Sequence, residues 1–314
     1  MQNNNKQYFI RNFHYGDLPE YYKIFREKEK IEGESAPSLE LLKKRLQRPR
    51  FEPENDLFLA IHGERLAGYM ELTREPDIKR VILEGMVYHN YRRNGIGSLL
   101  LEACIKRARD LGLDTIHVGI LNKNLAGKKF LQHHGFTCIR RHLEMKTRLH
   151  RKIPGLKNNR NPCSLSRLEM RHLKEGEEDF LAELQNHCFE DTWGYQPNTG
   201  EDIRFKMDIS GSTPEDVLVG FAREEAAGYC WTATSGPETS GNSRILMLGV
   251  KPAFRGKGIA GELLATSLNT LQKELKAREV ELTADRDNFP ALRLYRSFGF
   301  RKCKETWWYE LKLP

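Results

Sequence analysis

No stretch of this sequence approaches the roughly 20 consecutive apolar residues that a helical membrane span requires, so no membrane partner is expected. Behind Met1-Gln2-Asn3-Asn4-Asn5-Lys6 there is no apolar secretory segment either. Cysteine is scarce: the six residues Cys104, Cys138, Cys163, Cys188, Cys230 and Cys303 are scattered, with no Cys-x-x-Cys pair. That spacing excludes a disulfide framework and a thiolate zinc site, and His133-His134 lacks ligand spacing too, so no metal is expected. Free thiols and the missing export signal place the chain in the cytoplasm as an expectation. Aromatic residues are absent from the most basic segment, Lys146–Arg167, where a single-strand nucleic-acid surface would interleave them with Arg and Lys. Nucleic acid is therefore not the expected partner; the net charge of +8 suggests anionic partners without saying which, and the basic segment reads as a solvated connector. Hydrophobic content of 39% against 30% charged residues describes a folded chain, and 314 residues accommodate two domains.

What is present is a turn that occurs twice. Arg92-Arg93-Asn94-Gly95-Ile96-Gly97 and Arg255-Gly256-Lys257-Gly258-Ile259-Ala260 both read Arg-x-x-Gly-x-(Gly/Ala). Each follows an apolar strand-like run, ending at Val87 and Val250, and each opens an amphipathic helix. Small residues at such a junction let backbone amides approach a ligand, and the helix N-terminus adds partial positive charge. A phosphate or pyrophosphate site follows, with Arg and Lys as further donors. The surroundings repeat as well. Arg92 and Arg255, Asn124 and Asn288, and Gly135 and Gly299 lie about 163 positions apart, a spacing that fits domain duplication and not a solenoid.

Each half carries a strand, two helices, a hairpin, the turn, a helix and a further strand–helix–strand segment. In the first half, Tyr8–Arg11 is a strand, Asp17 a cap for the helix through Tyr21 and Phe25, and Ser38 a cap for the helix through Leu46. The hairpins join Leu57–Ile61 to Leu66–Leu72 and Val217–Ala222 to Ala227–Thr232. The fold class is thus α+β: two tandem domains, each a mixed, mostly antiparallel twisted sheet flanked by helices. The expected boundaries are 1–148 and 167–314, with a basic Pro- and Gly-containing linker over 149–166.

Strand, Arg-x-x-Gly-x-(Gly/Ala), helix, strand, Asn, helix, Gly-Phe resembles the layout of GNAT-type N-acetyltransferases in both halves. The second half is the closer match, because Asn288-Phe289-Pro290-Ala291-Leu292-Arg293-Leu294-Tyr295-Arg296-Ser297-Phe298-Gly299-Phe300 is similar to the family's Asn-x-x-Ala-x-x-Leu-Tyr-x-x-x-Gly-Phe segment. The tandem layout is similar to that of the mycothiol synthases within the family. The resemblance implies that acetyl-CoA is the acyl donor, with CoA held by Val250, Arg255, Gly256, Lys257, Gly258, Ile259, Ala260 and Asn288. The matching group in the first half is Val87, Arg92, Arg93, Asn94, Gly95, Ile96 and Gly97. It further implies a splayed strand ending at Val250 for the pantetheine arm.

Acyl transfer to an amine requires a neutral amine, an oxyanion donor and an acid for the departing thiolate. A backbone N–H near Val250 is the expected oxyanion donor, and Tyr295 the expected general acid. The first half has Leu131 where Tyr295 stands, so it reads as a CoA-holding or structural copy. It does carry Glu84 on the strand before the turn, a candidate base that Met247 replaces in the second half. Arg244–Val250 contains no carboxylate, which leaves Glu190, Asp191 and Asp285 as candidates by placement. The leading expectation is an enzyme transferring acetyl from acetyl-CoA to a primary amine of a small molecule. The alternatives are a non-catalytic acyl-CoA-binding module and an acetyltransferase for a protein or RNA acceptor. The sequence leaves the oligomeric state open.

Overall fold

In the computed structural model, residues 8–32, 36–149, 168–234, 242–273 and 275–314 are described. The expected linker, Leu149 apart, lies outside them, as does Cys163. The remaining cysteines, Cys104, Cys138, Cys188, Cys230 and Cys303, are free thiols. Among the described residues no helix is long and apolar enough to cross a membrane.

The chain begins with β1 (Tyr8–Asn12), α1 (Leu18–Glu32), α2 (Leu39–Leu46), α3 (Pro53–Asp56), β2 (Leu57–His62) and β3 (Arg65–Glu75). It continues with β4 (Arg80–Val87), α4 (Ile96–Asp110), β5 (Thr115–Leu121), α5 (Leu125–His133) and β6 (Thr137–Arg148). The second half supplies β7 (Glu169–His172), α6 (Glu178–Phe189), α7 (Gly200–Ser210), β8 (Val217–Ala222), β9 (Glu225–Thr234) and β10 (Asn242–Val250). It ends with α8 (Ile259–Lys273), β11 (Glu279–Asp285), α9 (Phe289–Ser297) and β12 (Arg301–Lys312).

Ser38 caps α2 as its side chain predicts, the Oγ accepting from the Leu41 amide at 3.1 Å. Asp17 does something else: its carboxylate turns back to the His14 amide and takes a two-pronged hydrogen bond from Arg11. The short helix Pro53–Asp56 carries no apolar periodicity, and the sequence pattern passes over it. It buries Asp56, which Arg74 and Arg107 neutralise.

The chain divides into two compact units: Met1–Ile120 with Leu125–Ile139 and Trp308–Pro314, and Leu121–Asn124 with Arg140–Trp307. In the first unit the sheet order is β1-β2-β3-β4-β5 followed by the end of β12. Here Lys312 donates to Thr115 Oγ1 at 2.9 Å and His117 Nε2 pairs with Glu310 at 3.0 Å. In the second unit the order is β12-β6-β11-β10-β9-β8-β7. β6 pairs antiparallel with β11, from Arg148 opposite Glu279 to His142 opposite Asp285. Each unit thus takes a strand segment from the other half of the chain. In both units β4–β5 and β10–β11 are parallel, whereas the strands before them form antiparallel meanders.

One face of each meander packs on helices from the start of that half, the other on the helix after the turn. In the second unit Ile259, Leu263, Leu264, Leu268 and Leu271 of α8 pack with Cys230, Ile245 and Val280. Leu181, Leu184 and Cys188 of α6 pack with Tyr229 and Trp231 of β9. Trp307-Trp308-Tyr309 lies on β12 as expected, with Tyr309 buried.

The two hairpins turn with different backbone geometries. Gly63 supplies φ of 61° in the first, but Arg223 and Glu224 stand at 52° and 67° in the second. Left-handed backbone at both central positions is the type I′ geometry that Asn-Gly satisfies without strain. Replacing Arg223-Glu224 by Asn-Gly is expected to stabilise the chain by roughly 1 kcal/mol, read as a higher urea midpoint at unchanged slope.

Candidate acyl-CoA site

The two turns share one backbone path. Arg92 and Arg255 have ψ of 157° and 156°, Arg93 and Gly256 have φ of 65° and 76°, and Gly95 and Gly258 have φ of 79° and 85°. The sequence reading of a duplicated turn is thereby matched residue for residue. In the second unit the first helical bonds run from the Gly261 and Glu262 amides to the Gly258 carbonyl, at 3.0 and 3.2 Å. In the first unit, Ser98 and Leu99 donate to Gly95 at 3.0 and 3.1 Å. The amides just before them have no acceptor inside the helix, which is the property an anion site needs. A Cβ built on Gly256, Gly258 or Gly95 meets nothing within 4 Å, so the face of each turn is open. That is a fit for a pyrophosphate.

Leading into the turn, each parallel pair parts. β10 is in register with β11 only over Asn242–Ile245 against Glu279–Leu282, and β4 with β5 only over Arg80–Leu83 against Thr115–Val118. Beyond those points the strands run to Val250 and Val87 bonded on the β9 or β3 side alone. Gly228 and Gly68 stand opposite those last residues. A Cβ on Gly228 would come within 2.5 Å of the Gly249 carbonyl, and one on Gly68 within 2.7 Å of the Met86 carbonyl. Only glycine permits that approach. Sequence reasoning passed over both; the signal was Ala67-Gly68-Tyr69 and Ala227-Gly228-Tyr229, a glycine inside a strand in each half.

The basic side chains of the second turn are engaged with the protein. Arg255 donates through Nε to the Val250 carbonyl at 3.1 Å, through one terminal nitrogen to the Cys188 carbonyl at 2.9 Å, and through both to the Asp191 carboxylate. It therefore ties the end of α6 to the end of β10. Arg92 repeats the strand-end bond, Nε to the Val87 carbonyl at 3.0 Å. Lys257 reaches back to the Ala253 carbonyl at 2.8 Å, and Asn94 to the Tyr91 and Arg92 carbonyls. Asn288 caps α9, its side chain accepting from the Ala291 amide at 3.1 Å. Backbone amides, not these side chains, are what the turn presents outward.

Two carboxylates expected as candidate bases are occupied. The Arg255 guanidinium holds the Asp191 carboxyl below the usual carboxylate range, and Asp285 accepts from Arg140 at 2.7 Å and from the Asp287 amide. Glu190 is exposed at the end of α6. Tyr295 is 8% exposed on α9, its ring against Phe300. Burial pushes its phenol well up, so it stays protonated. Leu131 of the first unit is a core residue.

In the first unit Glu84 stands directly across from Glu71 on β3, so both carboxylates face the α1 side. Glu71 accepts from the Tyr21 hydroxyl at 3.2 Å and pairs with Arg48 at 3.1 Å. Burial and the Glu84 charge outweigh Arg48 and raise its pKa. The corresponding cross-strand pair in the second unit is Met247 and Trp231. Among the described residues no group of His, Cys, Asp and Glu is placed to hold a metal ion. Of the loop aromatics, Trp193 lies 5.1 Å from the Arg140 guanidinium and Tyr195 stacks on Phe189.

A parallel pair that parts beside a helix N-terminus, twice in one chain, fits an extended ligand that carries a phosphate. Residues 18–136 and 179–300 match the model of the acetyltransferase (GNAT) family, and the chain belongs to that family of N-acetyltransferase enzymes, whose donor is acetyl-CoA. The chain is 30% identical over 238 residues to the mycothiol acetyltransferase of Brachybacterium faecium, covering 76% of this chain and 68% of that one. It is 26% identical to that of Acidothermus cellulolyticus over 251 residues, covering 76% and 73%. Among solved structures, a GCN5-related N-acetyltransferase from Sphaerobacter thermophilus superposes with a TM-score of 0.73 at 19% identity, over 97% of this chain and 95% of that one. A tandem GNAT protein from the clavulanic acid biosynthesis pathway gives 0.71 at 14% identity, over 98% of each.

The Asp191–Arg255 pair carries a pH dependence of known sign. A carboxyl depressed in the folded state contributes stability above its unfolded pKa of about 3.9, and loses it as pH falls through the folded value. Asp191 is 53% exposed, so solvent holds that contribution to at most about 1 kcal/mol. Urea midpoints of the parent and Asp191→Asn are expected to differ slightly at neutral pH and to converge as pH drops below the carboxylate range.

Proposed function

We propose that the chain transfers acetyl from acetyl-CoA to a primary amine of a small molecule, and that the second unit carries the reaction. The observation behind this reading is Tyr295: a buried, protonated phenol on α9, in the unit whose β10 parts from β11. In the reaction the amine nitrogen attacks the acyl carbon, the C–S bond breaks, and Tyr295 gives its proton to the departing sulfur. The amine proton goes to solvent, which returns one to the phenolate. The turn from Arg255 to Ala260 binds the pyrophosphate through its amides, and a backbone N–H near Val250 meets the developing oxyanion. Similarity to mycothiol acetyltransferases supports a small-molecule acceptor.

A second reading places acyl transfer in the first unit. The Glu71–Glu84 pair favours it, since a carboxylate of raised pKa beside an exposed one suits proton removal from an ammonium group. In either reading the proposed functional halves are 1–148 and 167–314, although Arg140–Arg148 falls in the second compact unit and Trp308–Pro314 in the first.

Gly258→Glu sets a carboxylate and its bulk at the pyrophosphate position. Together with Gly95→Glu it is expected to abolish CoA binding by calorimetry; unchanged affinity in the double variant would falsify the phosphate-site assignment. Tyr295→Phe keeps the ring packing and removes the acid. It is expected to slow turnover by roughly 10²–10⁴ with acetyl-CoA affinity nearly intact. Because the phenol stays protonated, the parent rate should not fall through the ordinary phenol range near pH 10. Loss of turnover in Glu84→Gln, with none in Tyr295→Phe, would assign the reaction to the first unit instead.

A further inference from the structure

The second unit buries polar atoms that the protein itself does not satisfy, beside the end of β10. Tyr229 on β9 is 0% exposed, and its hydroxyl has no hydrogen-bond partner. Gln185 on α6 is also 0% exposed; it lies against the Tyr195 hydroxyl, yet neither Nε2 nor Oε1 makes a hydrogen bond. Tyr195 is itself occupied, donating to Asn186 Oδ1 at 2.9 Å and accepting from Asn198 at 2.8 Å. Buried hydroxyl and carboxamide groups are ordinarily paired, and an unpaired one is destabilising.

Their position ties them to the acyl site. Tyr229 is in register with Gly249, the residue before Val250. A Cβ on Gly249 would lie 2.9 Å from Cys188 Cβ, 2.9 Å from Phe189 Cε2 and 3.1 Å from Tyr229 Cε1, so α6, β9 and β10 close on one another here. Gln185 is one helical turn before Cys188 and Phe189 on α6. On this sheet face Met247 and Trp231 stand where the first unit has its two glutamates, and Trp231 Nε1 already donates to Ser212 at 3.0 Å. What remains is one phenol and one carboxamide, both able to donate and accept.

We propose that Tyr229 and Gln185 form the subsite that recognises the acceptor, and that they select amines bearing neutral hydrogen-bonding groups, hydroxyls above all, near the reacting nitrogen. This rests on the reading that the second unit transfers the acyl group. A site built to hydrogen-bond a hydroxyl discriminates against the analogue that lacks it, because its own groups are then left unpaired.

The test uses the full chain at saturating acetyl-CoA with two matched amines, 2-amino-1,3-propanediol and isopropylamine, which share a carbon skeleton and differ by hydroxyls. The parent is expected to favour the diol in kcat/KM by about tenfold or more. Tyr229→Phe and Gln185→Leu should each cut that preference about tenfold, mainly through KM for the diol, with KM for acetyl-CoA unchanged. Since the Tyr229 hydroxyl has no protein partner, Tyr229→Phe should leave the melting temperature unchanged or raised. A lower melting temperature in that variant means the hydroxyl serves the fold and overturns the proposal. So does a parent without preference for the diol, or a preference that survives in both variants, which would mean the groups hold trapped water only. These outcomes leave amine acetylation itself standing. Failure of the parent to consume acetyl-CoA with any amine in a primary-amine panel would instead overturn the proposed function and this subsite with it.

Discussion

A β-strand that parts from its parallel neighbour leaves amide and carbonyl groups that something must satisfy. Both β4 and β10 do this a few residues after pairing begins, and each ends in a turn that opens a helix of its own unit. Gly68 and Gly228 let the departing strand press against its antiparallel partner, while Arg92 and Arg255 bond the last carbonyl of the strand. Strand divergence, turn geometry and helix start are therefore one coupled arrangement. Altering the close approach at Gly228 would move all three.

The two units share this frame and differ in what they set around it. At one cross-strand position the first has Glu71 and Glu84, the second Trp231 and Met247. At one helical position the first has Leu131 and the second Tyr295. One unit thus has two carboxylates at that position, and the other a buried phenol on its last helix. Like charges facing each other across a strand pair are costly unless screened, and Arg48 with the Tyr21 hydroxyl supplies that screening. The apolar replacement in the second unit removes that cost at this cross-strand position.

Local rules made the duplicated turn, both hairpins and the amphipathic helices legible, because each is set by residues within one or two turns of chain. Ser38 as a cap came through for that reason, as did the α8 stripe from Ile259 to Leu271, whereas Leu275, expected on the same stripe, lies past the end of the helix and is exposed. Asp17 was misread because its competitor, Arg11, is a strand residue that only the folded chain brings alongside. The roles of Arg255 and Lys257 were half legible. Charge beside a phosphate turn predicts a donor, but Asp191 and the Cys188 carbonyl, some 60 positions earlier by residue number, claim the guanidinium first. Gln185 and Tyr229 carry no sequence signature, since a buried unpaired group is a property of packing alone.

The first compact unit draws Trp308–Pro314 from the far end of the chain, and the second takes Arg140–Arg148 from the middle. Order of synthesis then matters. As the chain emerges from a ribosome, β1 to β5 are complete long before the strand that closes their sheet exists, and the flank of β5 waits for residues near 310. An unpaired strand edge invites mispairing in the meantime. The first unit, made first, is finished last.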